Sequence, residues 1–208
     1  MDAEALAMPR PRPRPRFPRE TVPPPVSNAR LAMLIVIGAE MMLFAGLIGA
    51  FLVFRLAARQ WPPANLPQLP LAMTALNTVV LFASLVPLTN ALRAVRRDDR
   101  ARLVRAIALT AALGAVFLGV QGAEWLRLVR HGLTLGSGTY GATFYVLIGC
   151  HGVHVLIAVT WLAVVALLAR RGAFRPAHYA GLEMCAIYWY FVCALWAVLF
   201  PLVYLYRS

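Results

Sequence analysis

Five stretches of this chain, at about residues 31 to 54, 70 to 92, 103 to 126, 140 to 169 and 178 to 206, are apolar on every face and bounded by Arg, Pro or Gly. About 20 apolar residues, rising 1.5 Å each, cross a hydrocarbon core roughly 30 Å thick. In lipid, a single-segment span must satisfy its backbone groups internally, so each stretch reads as a helix. The expected fold is an all-α membrane bundle of five spans over residues 30 to 208. A mean hydropathy of +0.71 over 208 residues agrees, and the spans leave no room for a soluble catalytic domain.

The first 29 residues, with their PRPRPRFPR run and closing PPP, resist helix and offer little to bury. They are expected to form a disordered cytoplasmic tail. No short apolar core precedes a small-residue cleavage site, as a secretory signal requires, and the composition does not suit an amphipathic, Ser-rich transit peptide.

All 20 basic residues are arginine, and the formal net charge is +12. They lie in tails and loops beside apolar segments, where they set topology and meet anionic lipid, so nucleic acid is not an expected partner. Fifteen fall on one side of the five spans (the tail, the second loop and the fourth loop) and five on the other. The N-terminus is therefore expected in the cytoplasm and the C-terminus in the periplasm of a bacterial inner membrane. Trp61, Trp125, Tyr204 and Tyr206 would then lie near the outer interface.

Ionisable groups at membrane depth cost a few kcal/mol each on insertion scales and require a reason. Glu40 lies ten residues past Arg30, roughly 15 Å into the bilayer. His151, eleven residues past Tyr140, shares that depth, and His154 follows one turn deeper on nearly the same face. The spacing is consistent with ring nitrogens bonded to Glu40, Glu183 or helix carbonyls, or with a proton shared between Glu40 and His151. Glu183, near the start of the last span, can also reach interfacial water or the arginines at 170, 171 and 175. Glu124, between Trp125 and Arg127, reads as an interfacial anchor. The histidines lack the further ligands a metal needs and project from one helix face, so neither haem nor copper is expected in this chain. Cys150, Cys185 and Cys193 read as small core residues. Small residues four apart, Ala45 with Gly49, Gly46 with Ala50, and Ala115 with Gly119 and Ala123, favour close contact with other helices or another subunit.

Four segments carry a family resemblance. AEMMLFAGLIGAF at 39 to 51, LNTVVLFASLVPLTNA at 76 to 91, YGATFYVLIGCHGVHVLIAVTWL at 140 to 162 and IYWYFVCALWAVLFPLVYLY at 187 to 206 resemble, in order, the motifs of subunit III of haem-copper terminal oxidases. The resemblance implies a subunit without redox cofactors that stabilises the catalytic subunit and supports proton uptake during oxygen reduction. It implies subunit I as principal partner and subunit II as second, the haems and copper residing in these partners, with membrane phospholipid bound. Quinol oxidases and nitric oxide reductases have related subunits and stand as alternatives; a small transporter or proton channel using Glu40 and His151 as its relay is a third, and would show inverted repeats or broken helices at mid-depth, a symmetry the sequence does not display. Gly46, Gly49, Asn77, Trp189 and Trp196 are the expected lipid or subunit contacts. The family often has His and Asp where this chain has Tyr190 and Cys193. Longer members have seven helices, with lipid in a cleft between the first two and the other five. This chain matches the five, so such a cleft requires another chain to supply the pair, for instance an extension of subunit I.

Overall fold

The computed structural model describes residues 27–63 and 69–205. Five helical spans fill them: α1 (Asn28–Ala57), a second span broken into α2 (Leu71–Ala83) and α3 (Leu85–Arg96), α4 (Arg100–Arg130), α5 (Thr139–Arg170), and α6 (Ala180–Phe200) continued by a π turn at Pro201–Leu205. Each span is long and apolar enough to cross a membrane, and the ends fall within four residues of those expected from sequence. The expected tail lies outside the described residues except for its last three. There Ser27 caps α1, its hydroxyl oxygen accepting from the Arg30 amide at 3.3 Å.

Local chemistry explains the other ends. Asp99 caps α4 by accepting from the Arg102 amide at 2.9 Å. Gly132 (φ 90°) and Gly172 (φ 78°) close α4 and α5 in the left-handed conformation. In both, the next residue's amide returns to a carbonyl five residues back, Leu133 to Leu128 and Ala173 to Leu168. Within the second span, Pro87 has no N–H for the Ala83 carbonyl, and the helix breaks at Ser84.

The second span packs on α4 and α6, α4 on α5, and α5 on α6. The core runs between these helices through Leu81, Leu88, Ile107, Phe117, Phe144, Val155, Leu162, Trp189, Val192 and Trp196. The first span is peripheral. It rests on α5 and α6 and buries only Phe44, Phe51 and Arg55 of its 30 residues. One end of the bundle carries the α1 start, the α3–α4 turn and the α5–α6 loop with their arginines, the other Trp61, the α4–α5 turn and the π turn.

Two expectations change at the arginine-poor end. Trp61 packs edge-on against Phe51 and Tyr140 at 5.7 and 4.9 Å and is buried. Tyr204 is 1% exposed because its ring faces Trp196 and Phe200 inside the bundle. Neither is a belt residue at an interface, whereas Tyr206 lies outside the described residues.

Candidate functional site

Glu40 and His154 meet where α1 crosses α5, with Oε2 2.8 Å from Nε2. The other ring nitrogen, Nδ1, lies 2.7 Å from the Cys150 carbonyl one turn back on α5. A carbonyl oxygen can only accept, so Nδ1 carries a hydrogen. Two lone pairs would repel at 2.8 Å, so one proton sits between Nε2 and Oε2, held by the imidazole or by the carboxyl group. Phe44, one turn along α1, covers the pair with its ring 5.1 Å from that of His154. The side chains are 26% and 11% exposed, so the pair faces the lateral surface of the bundle, Glu40 outermost.

His151 does not join them. Its ring stacks on Trp196 at 5.2 Å and 20°, 2% exposed, and neither ring nitrogen has a hydrogen-bond partner among the described residues. The expected sharing between Glu40 and His151 is thus replaced by sharing with His154. The cause is azimuth: three residues on a helix turn about 300°, which points His151 toward α6 and His154 toward α1.

Glu183 forms an ion pair with Arg30 across the starts of α6 and α1. Arg30, rather than Arg170, Arg171 or Arg175, is its partner. The four intramembrane polar residues singled out from sequence therefore occupy three separate places.

A second polar cluster lies where α2 meets α4. Glu124 is no interfacial anchor: it is 3% exposed, and its Oε2 lies 3.0 Å from the Thr74 hydroxyl. Asn77 donates to the Phe117 carbonyl at 3.0 Å, and Gln121 to the Tyr204 hydroxyl at 3.2 Å. Trp196 donates to Thr78 Oγ1 at 2.9 Å, so this cluster reaches the ring that His151 stacks on. The sequence signal was available in T-x-x-N (74 and 77) and Q-x-x-E (121 and 124), polar pairs one turn apart on two neighbouring spans.

Of the expected lipid or subunit contacts, Asn77, Trp189 and Trp196 are at most 3% exposed. They are fixed by α4, Ser84 and Thr78 and present nothing to lipid or a partner. Gly46 and Gly49 do lie open, with no atom within 4 Å of an added Cβ. Close approaches between spans occur instead at Gly114, where a Cβ would stand 2.6 Å from Trp189 Cη2, and at Gly152, 2.5 Å from Trp125 Cη2. Tyr190 meets Thr89 Oγ1 at 2.7 Å through its hydroxyl, and Cys193 is buried. Among the described residues no group of three or more His, Cys, Asp or Glu could hold a metal.

The pair joins the first and third of the four motifs, and a family model for cytochrome c oxidase subunit III matches residues 24–208. The chain belongs to that family. It is 36% identical over 192 residues to cytochrome c oxidase subunit 3 of Oncorhynchus mykiss, an alignment covering 89% of this chain and 72% of that relative. The Sus scrofa protein of the same name is 36% identical over 185 residues, covering 86% of this chain and 70% of the relative. That of Gadus morhua is 35% identical over 192 residues, again 89% and 72%. As a subunit III family member the chain is a membrane protein that works within a complex of oxidase subunits. The motif at 140 to 162 supplies the two histidines at membrane depth in this subunit III bundle, one turned to α1 and one to α6.

Proposed function

We propose that this chain is the non-redox subunit III of an aerobic respiratory terminal oxidase of the cytochrome c oxidase type, stabilising the catalytic subunit and supporting proton uptake during oxygen reduction. Membership of the family supports the first half of this reading. The observation that carries the second is the Glu40–His154 pair, which retains one exchangeable proton at mid-depth while facing the side of the bundle. With that proton the pair carries no net charge, and when it gives or takes one the resulting charge is borne by two hydrogen-bonded groups rather than by a lone group in hydrocarbon. Subunit I is the principal partner and subunit II the second; they carry the haems and copper, and phospholipid fills the surroundings. The arginine excess at one end favours placing that end in the cytoplasm of a bacterial plasma membrane.

The test is Glu40→Gln in the whole complex. The expected result is a complex that assembles with its full haem content and consumes oxygen at first, but takes up protons more slowly, on the order of 100-fold, the lower end of what one positioned proton-transfer group contributes. Proton uptake followed by stopped flow beside haem absorbance separates the two. Unchanged uptake would remove the pair from the proton function. Failure to assemble would make the carboxylate a structural requirement.

A further inference from the structure

At the arginine-rich end, the facing surfaces of α3 and α4 border an open groove of about 510 Å³ lined by Pro87, Asn90, Arg102, Arg105, Ala106 and Leu109. Its composition changes with depth. Arg102 and Arg105 belong to the first turns of α4, and Leu109 lies seven residues beyond Arg102, about 10 Å further into the membrane. Facing them on α3, Asn90 stands nearer the polar end than Pro87. The groove is thus cationic and hydrogen-bonding at its mouth and apolar below.

Neither arginine is fully engaged. Arg102 Nε lies 3.6 Å from Asp99 Oδ2 with 58% of its side chain exposed, and Asp99 is already committed through Oδ1 to capping α4. Arg105 donates from Nε to the Ala101 carbonyl at 3.3 Å, a bond that lays its stem along α4 and leaves its terminal nitrogens free to turn outward. The turn between the helices is itself cationic: residues 93 to 105 hold six arginines against Asp98 and Asp99. Arg100 differs from the groove pair, since it donates to the Arg170 carbonyl at the end of α5.

We propose that this groove holds one anionic glycerophospholipid. Its phosphate lies on the terminal nitrogens of Arg102 and Arg105, Asn90 donates to the headgroup, and one acyl chain descends past Leu109 against Pro87 and Ala106. The charge of the mouth selects an anion, and the apolar floor selects one that carries a hydrocarbon chain. A basic mouth above an apolar floor is the arrangement that a lipid, rather than a soluble phosphate, complements at both ends. This assignment is independent of the Glu40–His154 pair and of the proton function.

The experiment uses the full chain, purified in mild detergent with whatever subunits accompany it, stripped of loosely held lipid and titrated with phosphatidylglycerol under native mass spectrometry. One molecule should bind in preference to phosphatidylcholine. The double variant Arg102→Gln with Arg105→Gln should weaken that binding roughly 30-fold, the combined effect of two charges near an anionic headgroup. Arg96→Gln with Arg97→Gln, on the same turn but outside the groove, should leave it within about threefold. An equal loss in both variants would mean that the charge of the turn, not the groove, attracts the lipid. Displacement by glycerophosphate at matched concentration would mean a soluble phosphate site. A photoreactive residue in place of Leu109 should capture lipid, and capture of another subunit there would overturn the assignment.

Discussion

At the scale of single residues, two histidines three positions apart hold opposite situations. His154 has both ring nitrogens engaged, whereas His151 stacks its face on Trp196 and makes no hydrogen bond from either nitrogen among the described residues. A buried polar atom without a partner costs about 1 to 3 kcal/mol, and removing it while keeping the ring recovers that cost. His151→Phe is therefore expected to leave stability unchanged or raise it by about 1 kcal/mol, since the stack survives. His154→Phe should lower stability by a similar amount, because Glu40 loses its partner; unfolding titrations of both variants in one detergent read the contrast. Sequence alone supplied the depth of Glu40 and the presence of histidines at that depth. It could not choose between them, because depth follows from counting along a span, whereas azimuth depends on where α1 and α6 sit around α5. Glu124 was misplaced for a related reason: counting put it near an interface, but its helix turns it inward onto Thr74.

At the scale of elements, the five spans and their ends were legible because long apolar runs bounded by Arg, Gly and Pro leave few alternatives. The break at Ser84 follows from Pro87 and gives Trp189 its partner, with the indole N–H donating to Ser84 Oγ at 2.9 Å. Packing was less legible. Small residues four apart on α1 suggested a contact face, yet Gly46 and Gly49 meet nothing, while Gly114 admits the Trp189 ring. A sequence lists small residues but not which of them a large side chain from another span will cover. Two outcomes follow for the α2–α3, α4 and α6 contact. Gly114→Ala should cost about 1 to 3 kcal/mol by forcing Trp189 and Val159 to move, whereas Gly46→Ala should stay within about 0.5 kcal/mol. Ser84→Ala should cost about 1 to 2 kcal/mol by stranding the indole N–H, and it should shift tryptophan fluorescence as well as the thermal midpoint.

At the scale of the molecule, α1 differs from the other spans in how it is held. Apolar surface alone gives little reason for helices to associate in lipid, where the tails are as apolar as leucine, so packing and polar ties decide. α1 buries few residues, and Met42 and Leu56 are 78% and 75% exposed. Its polar ties come at three depths: Arg30 to Glu183 at the arginine-rich end, Glu40 to His154 at the middle, and Arg55 to the Leu202 carbonyl at 3.0 Å at the other end. The first is exposed enough that Glu183→Gln should change stability by less than about 1 kcal/mol. The middle tie is shielded, and a double-mutant cycle of Glu40→Gln and His154→Gln should return a coupling of about 1 kcal/mol, the scale of interhelical hydrogen bonds in membranes. The loss should also be local. Hydrogen exchange in the double variant should accelerate over Asn28–Ala57 and leave α2 to α6 as protected as before, because the core of the other four spans does not run through α1. Uniform acceleration across all five spans would mean instead that α1 folds as one unit with the core, and that the pair supports the whole bundle.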